Sequence, residues 1–277
     1  MKLSLRCFVF MLALPFVPAC RRVHSLSFAP RIPGYAEESA RYINLPKPLR
    51  EISGLAYYND HELLAINDEQ GKIFFVNSET GKTRERPFGN KGDYEDIAIG
   101  PQSWYVLKSN GHISQVDTSG KETAVFSNDF GKGYEFESLC YDVASNKLLL
   151  VCKTCGRDAD AVIGWWVDPG TGVLSPEPAF QLPLTAIRKL AKDDTIEFEP
   201  SAIAFHPISK ELFIIASVGK ILLICDKNGK PLSLHRLNPN QFQQPEGLCF
   251  TPQGDMFISN EGRKGRATLI YYPYGQP

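Results

Sequence analysis

A seven-residue segment recurs five times along this chain, and its first and third positions are rich in carboxylates. The copies read EISGLAY, DYEDIAI, EFESLCY, EPSAIAF and QPEGLCF, and they start at residues 51, 93, 135, 199 and 244. Seven acidic side chains fill those two positions: Glu51, Asp93, Glu95, Glu135, Glu137, Glu199 and Glu246. Carboxylates brought together repel one another and raise each other's pKa unless a cation is present. The repeat segment therefore predicts a site for a cation, and calcium suits a flexible cage of about six to eight oxygen ligands.

The position within the repeat segment ranks the candidate ligands. Glu95, Glu137 and Glu246 share the third position in three copies and are the first choice for a metal. Glu51 and Glu199 are the second choice, because they hold the first position in the two copies whose third position is serine. Asp96 would add an eighth carboxylate. The alternative stays open that these groups accept backbone N–H bonds from a neighbouring repeat and act as structural pins.

Polar residues also end the apolar strand that follows each repeat segment. Together with two acidic first positions they form the predicted channel-mouth binding set: Asp93, Glu135, Asn67, Lys108, Lys153 and Asn260. The two lysines can form ion pairs with two of the carboxylates, which leaves the others without a countercharge.

Other arrangements that could do chemistry are sparse. The five histidines are not placed beside a serine or cysteine nucleophile, and no glycine-rich loop suits a phosphate. Cys152 and Cys155 form a CxxC pair inside an apolar run, without a second pair or a histidine to complete a zinc site. The pattern favours buried thiols.

The elements that must position these residues are short strands. Each repeat segment is followed by a turn and two further apolar strands, and four of the five units show a fourth strand. Four antiparallel strands in a period of about 40 to 50 residues are typical of propeller blades. We therefore predict an all-β fold, a five-bladed β-propeller with four antiparallel strands per blade. The first strand of each blade would line the central channel and bring the acidic positions to one mouth.

The fifth unit runs out of chain after three strands, and its missing strand lies near the other terminus. Residues 40–46, ARYINLP, match the fourth strand LHRLNP that starts at Leu234. We expect this N-terminal strand to close the last blade and remove the open sheet edges. The longer third unit contains an insertion, and residues 185–194 have the spacing of a short surface helix.

The first twenty residues have the pattern of an export signal. Lys2 and Arg6 precede an apolar run over residues 7–17, and small residues lead to Cys20. Val17-Pro18-Ala19-Cys20 is similar to a relaxed lipobox, so we predict lipidation at Cys20; ordinary cleavage after Ala19 is the alternative. The predicted organisation is a signal peptide (1–19), a lipid-anchored tether (20–39) and the β-propeller (40–277). The expected location is the bacterial cell envelope, with the membrane reached through that lipid anchor.

The amino-acid composition excludes few classes of protein, but it gives no support for a nucleic-acid partner. Of the 277 residues, 43% are hydrophobic and 22% charged, and the net charge of -1 comes without a basic patch.

The motifs EISGLAY, DYEDIAI, FESLCYD, FEPSAIAFHP and PEGLCF, with INDE and SNEG at strand ends, resemble the SdiA-regulated family of bacterial envelope β-propellers. The resemblance covers roughly residues 40–277. It implies a periplasmic or surface propeller related in shape to NHL-repeat proteins, esterase-like phytases and calcium-dependent phosphotriesterases. It implies no settled activity, and the channel histidine expected of lactonase-type propellers is lacking.

Two functions follow from these expectations. The first is a binding or scaffold module of the cell envelope, with a cation in its acidic central channel and an unidentified small-molecule or protein ligand at the channel mouth. The alternative is a calcium-dependent hydrolase of phosphate esters or related esters, in which the metal would activate water.

Overall fold

The computed structural model describes residues 32–156, 160–263 and 265–275, and these form five antiparallel sheets of four strands each. The sheets are the blades of a five-bladed β-propeller, which confirms the predicted fold. The predicted signal peptide and Cys20 lie outside the described residues.

The blades follow one another along the chain, and each runs from an inner to an outer strand. Blade 1 contains β2 (Ile52–Asn59), β3 (Glu62–Asn67), β4 (Lys72–Asn77) and β5 (Thr83–Pro87). Blade 2 contains β6 (Tyr94–Ile99), β7 (Trp104–Lys108), β8 (Ile113–Val116) and β9 (Glu122–Phe126). Blade 3 contains β10 (Tyr134–Asp142), β11 (Lys147–Cys155), β12 (Ala161–Val167) and β13 (Phe180–Pro183). Blade 4 contains β14 (Glu199–Phe205), β15 (Leu212–Val218), β16 (Ile221–Cys225) and β17 (Pro231–Arg236). Blade 5 contains β18 (Pro245–Phe250), β19 (Met256–Asn260), β20 (Thr268–Tyr272) and β1 (Arg41–Asn44).

The N-terminal strand closes the ring as expected. β1 pairs antiparallel with β20, with Tyr42 opposite Ile270, and so forms the outer strand of blade 5. The inner strands β2, β6, β10, β14 and β18 pack side by side, and β18 packs against β2 to complete the circle. The repeat segments thus meet around one central channel.

Residues just before β1 are held by blades 4 and 5. Ile32 and Tyr35 are buried in the apolar core between these blades. The Tyr35 hydroxyl donates to the backbone oxygen of Gly254 at 2.5 Å and lies 3.0 Å from Nε2 of His206. Nδ1 of His206 accepts the backbone N–H of Ser209, so Nε2 carries the proton and donates to Tyr35. Burial lowers the pKa of His206, which favours this neutral form.

Three short helices complete the described chain. The 3-10 helices Glu37–Ser39 and Lys47–Leu49 flank β1, and α1 (Leu184–Ala191) follows blade 3 where the sequence predicts a helix. Ile187 of α1 is buried against blade 4, and Lys192 ends the helix in the left-handed conformation. No helix among the described ranges is long and apolar enough to cross a membrane.

Candidate functional site

A β-bulge occurs at the third position of the repeat segment in all five blades. The pairing of inner and second strands shifts there, so one inner-strand residue has no direct partner: Ser53, Glu95, Glu137, Ser201 and Glu246. The alternation of side chains that an unbroken strand would give is therefore interrupted at this position. A bulge bends its strand and changes where the extra side chain points. Four of these five residues line the cavity at one end of the channel.

This cavity, which we call the acidic mouth, has a volume of about 620 Å³. Carboxylates outnumber cationic groups among its lining residues. The acidic members are Glu51, Asp68, Asp93, Glu95, Glu137, Glu246 and Glu261, and the basic members are Lys153, Lys220 and Arg263. The acidic mouth therefore favours positively charged ligands.

Glu137 carries the shortest ion pair of the mouth. Nζ of Lys153 lies 2.5 Å from Oε1 of Glu137, and both side chains are mostly shielded from water. Burial raises the pKa of Glu137, while the bond from Lys153 works in the opposite direction. Burial alone would lower the pKa of Lys153, but attraction to Glu137, Glu199 and Glu246 outweighs it, so the pKa is raised. This lysine is held as a built-in countercharge.

Glu95 and Glu246 line the same mouth, and neither forms an ion pair with another of the described residues. Burial, with repulsion from Glu137, raises the pKa of Glu95 to about 9 and that of Glu246 to about 8. Both groups thus hold a proton at pH 7 when no cation is bound. A strongly shifted pKa in a cleft is a mark of functional sites.

A second group of carboxylates links blades 1 and 5. Asp68 and Glu261 follow the ends of β3 and β19 and face Glu51, which accepts an ion pair from Arg50 at 2.6 Å. Burial and repulsion from Glu51 raise the pKa of Asp68 to about 6. Its Oδ1 atom is buried and has no hydrogen-bond partner among the described residues.

Our sequence reasoning missed Asp68 and Glu261, although it singled out the asparagine before each. The signal that identifies them is the pair of an asparagine and an acidic residue, Asn67-Asp68 and Asn260-Glu261, at the end of two second strands.

The structure brings six predicted site residues to the acidic mouth, and they are Glu51, Asp93, Glu95, Glu137, Glu246 and Lys153. Asp93 also accepts a hydrogen bond from the hydroxyl of Ser109. The other five predicted residues, Glu135, Glu199, Asn67, Lys108 and Asn260, are not among its lining side chains.

Their contacts explain this placement. Lys108 lies over the ring of Tyr94, with Nζ 5.1 Å from the ring centroid. Glu135 is exposed and accepts from Oγ1 of Thr154 at 3.4 Å. Glu199 remains close enough for its charge to act on Lys153.

The two asparagines are buried and bonded within the fold. Nδ2 of Asn67 donates to the backbone oxygen of Pro48, and its Oδ1 accepts from the backbone N–H of Gln70. Nδ2 of Asn260 donates to Oγ1 of Thr268 at 3.4 Å. These side chains therefore lie behind the acidic mouth, where they support the fold, and they do not line the cavity.

Structural pins between blades exist, and other residues make them. Ser53 Oγ donates to the backbone oxygen of Tyr94 at 2.8 Å, and Ser201 Oγ donates to that of Pro245 at 2.7 Å. Asp96 is fully buried; its Oδ2 accepts the backbone N–H of Leu139 in the next blade at 2.8 Å. Burial raises the pKa of Asp96 strongly, although backbone N–H bonds oppose the shift. Asp96 is thus a pin below the mouth and not an eighth lining carboxylate.

The carboxylates do not form a closed metal cage as they stand. Within residues 32–156, 160–263 and 265–275, no group of three or more histidine, cysteine, aspartate or glutamate side chains is arranged to hold a metal ion. One candidate ligand, Glu137, is already bonded to Lys153. The donor set is spread over four blades around a wide cavity, so it does not fit a calcium ion unless several side chains move together.

The other end of the channel is apolar. This cavity, the apolar mouth, has a volume of about 440 Å³ and is lined by the fifth to seventh positions of the repeat segment from all five blades. Tyr57, Tyr141, Phe205 and Phe250 contribute aromatic rings. Burial raises the pKa of the thiols of Cys140 and Cys249 in its wall. The channel thus has two chemically different ends.

These features define a class of protein, a closed five-bladed β-propeller with one acidic and one apolar channel mouth. Solved structures with similar folds include the glutaminyl cyclase of Myxococcus xanthus, at 15% sequence identity and a TM-score of 0.57, over 84% of this chain and 95% of that chain. A luciferin-regenerating enzyme matches at 10% identity and a TM-score of 0.52, over 84% and 95% of the two chains. The WD40 repeats of RRP9 match at 11% identity and a TM-score of 0.51, over 87% and 99%.

At these identities the likeness shows the fold alone, because propellers with the same shape carry different sites. No family model matches the chain. No curated protein matches it either.

Proposed function

We propose that this protein is a binding module of the bacterial cell envelope whose acidic mouth takes a positively charged ligand. The observation that carries the proposal is the excess of carboxylates over cationic groups in the acidic mouth. The repeat motifs further support placing the chain in the SdiA-regulated family of envelope propellers, and the lipobox-like start supports an anchored lipoprotein.

The spacing of the carboxylates favours a ligand with several separated ammonium groups. Glu95, Glu137 and Glu246 come from three different blades, and Glu51 with Asp68 lies towards the junction of blades 1 and 5. A linear polyamine can meet several of these groups at once, whereas a calcium ion needs its oxygen ligands within about 2.3–2.6 Å. Calcium remains the inorganic candidate that the sequence predicts, and binding it would require these side chains to converge.

Calorimetric titration tests the proposal with two probes, spermidine and calcium chloride, each at pH 8. We expect spermidine to bind, and binding to weaken at least about tenfold when Glu95, Glu137 and Glu246 are all replaced by Gln, because three potential charges are lost. The matched control replaces the exposed Glu79, Glu122 and Glu177 by Gln and keeps the affinity. Equal weakening in both triple variants, or no binding of either probe, would contradict the proposal.

A second candidate is hydrolysis of phosphate esters or related esters with calcium. The raised pKa values of Glu95 and Glu246 favour it, since a carboxyl group that keeps its proton near neutral pH can act as a general acid. A screen of ester substrates with calcium decides between the two functions. Turnover that is abolished by Glu137→Gln would establish the hydrolase function and rule out the function as a binding module alone.

A further inference from the structure

A disulfide bond lies at the edge of the acidic mouth. Cys152 and Cys155, which the sequence predicts to be buried thiols, are bonded to each other at the end of β11. Both residues are buried with Phe136 and Trp165 in the apolar core between blades 2 and 3. The prediction of burial holds, and that of free thiols is wrong.

The ring closed by this bond contains the two residues that reach the acidic groups. Nζ of Lys153 lies 2.5 Å from Oε1 of Glu137, and Oγ1 of Thr154 donates to Glu135. The bonded cysteines therefore flank the countercharge of the acidic mouth on both sides.

Strand pairing shows why the backbone needs a constraint here. Glu135 lies opposite Thr154 and Phe136 lies opposite Cys152, so Lys153 is an extra residue without a direct partner. An unpaired residue in a bulge lacks the ladder bonds that orient its neighbours. A cross-link between the residues on either side restricts this bulge and directs the lysine.

We propose that the Cys152–Cys155 disulfide positions Lys153 over Glu137, so that the oxidation state of the two cysteines sets the affinity of the acidic mouth for cations. The affinity part rests on the proposed cation-binding function; the positioning part does not. Lys153 is the countercharge that the disulfide positions, and it competes with the ligand for Glu137.

The exchange step requires a dithiol reductant and a local opening at the end of β11, because both cysteines are buried. A thiolate of the dithiol attacks one protein sulfur and the S–S bond breaks; the second thiol then closes the reductant's own disulfide. Two electrons pass to the protein sulfurs, which each take up a proton. The reverse exchange with an oxidised dithiol restores the bond, and oxidising compartments outside the cytosol favour the bonded form.

Loss of the disulfide bond makes the electrostatic potential of the acidic mouth more negative. A freed lysine gains access to water and to many rotamers, and both effects draw its ammonium group away from Glu137. The charged groups that face this pair, Glu95, Glu135, Glu199 and Glu246, are all acidic. Removing one positive charge from among them strengthens the attraction for an incoming cation.

The test compares spermidine affinity in four backgrounds. We expect Cys152→Ala with Cys155→Ala to bind spermidine about fivefold more tightly than the wild type, as one unit charge at intermediate dielectric implies. Lys153→Met should reproduce this change, and adding it to the cysteine pair should give no further gain. Lys220→Met is the matched control, because Lys220 also lines the mouth but has no cysteine beside it. Removing the disulfide must still tighten binding in that background.

Persistence of the cysteine effect in the Lys153→Met background would overturn the inference, as would an unchanged affinity in a folded cysteine-pair variant. If that variant does not fold, wild-type protein reduced with dithiothreitol provides the same comparison.

A readout without ligand separates this inference from the proposed function. Carboxyl carbon NMR of glutamate-labelled protein follows the titration of Glu137, whose pKa should rise when the disulfide is removed. A rise in pKa without any spermidine binding would refute the cation-binding function and keep the positioning role. An unchanged titration would refute the positioning role itself.

Discussion

Glu95 and Glu246 are carboxyl groups that water does not fully solvate and that form no ion pair with the rest of the described chain. Their pKa values of about 9 and about 8 mean that the empty mouth stores protons at neutral pH. A cation that enters must displace these protons before it meets two negative charges. Binding and proton release are therefore coupled.

This coupling predicts that the fully protonated form of spermidine binds more tightly as the pH rises from 7 to 9. The measured affinities are therefore corrected for the protons that spermidine itself loses over this range. Calorimetry at pH 7 in two buffers of different ionisation enthalpy should give different heats, because protons pass to the buffer. Glu95→Gln should reduce that difference by about half, since one of two titrating groups is gone. Identical heats in both buffers would show that no proton is displaced.

The same groups predict how the stability of the unliganded protein depends on pH. Burial raises the pKa of Glu95 above its ordinary value of 4.5, so the folded state keeps a proton that the unfolded chain releases. Its stabilising contribution is complete below pH 4.5 and is lost as the pH rises to about 9. The melting temperature should therefore fall by several degrees between pH 6 and pH 9, and Glu95→Gln should flatten this slope. A melting temperature that rises over this range in the wild type would contradict the assignment.

At the scale of the strand, the innermost elements combine a bulge with a close contact to the next blade. A Cβ atom added to Gly54 would lie 2.6 Å from the Cα atom of Asp96, so the inner strands of blades 1 and 2 approach closely at the fourth position of the repeat segment. Asp96 fills the same position in blade 2 and bonds to the backbone of blade 3. Glycine and a small bonded side chain are what this narrow junction accepts.

Replacing Asp96 by Ala should destabilise the propeller by about 3 kcal/mol, because buried backbone N–H groups of Leu139 and Ile97 lose their acceptor. Denaturant unfolding monitored by tryptophan fluorescence measures the change. Asp96→Asn keeps the size of the side chain and one acceptor oxygen, so its stability should lie between that of the wild type and that of Asp96→Ala. The control Asp194→Ala removes an exposed carboxylate and should change stability little. Equal effects of the two alanine variants would exclude a pinning role.

At the scale of the whole molecule, ring closure makes the outer strand of the last blade depend on the N-terminal part of the chain. β1 completes blade 5, and Ile32 and Tyr35 pack between blades 4 and 5 before it. The described chain before β1 is therefore packed against the propeller from residue 32 onwards. The predicted lipid at Cys20 lies twelve residues before that point.

Anchoring is tested by fractionation of cells that express the full chain. Wild-type protein should sediment with membranes, and Cys20→Ser should move to the soluble fraction, because a lipid with two or three acyl chains holds firmly where a single chain binds only marginally. Cys7→Ser is the control, since it lies within the predicted signal peptide. A mature protein that begins at Cys20 without acyl mass would refute the anchor.

The sequence by itself determined the number of blades, the strand order and the closure by residues 40–46. Equivalent positions of a repeat need similar residue types, so the periodic pattern identifies the inner strands without any coordinates. It also identified one end of the channel as acidic, through Glu95, Glu137 and Glu246.

Only the tertiary structure decided which side chains share the mouth. The bulge at the third position depends on how two strands pair, and a repeat pattern is the same with or without it. Lys153 meets Glu137 while Lys108 lies on Tyr94, although the sequence places both lysines at the end of a second strand. In the structure Lys108 ends β7, whereas β11 continues past Lys153 to Cys155. The difference arises because Lys153 is an unpaired residue inside a disulfide ring, whereas Lys108 pairs directly with Tyr94. The direction of a side chain is set by the local strand register and by the distance between blades. The order of residues within one repeat predicts neither of them.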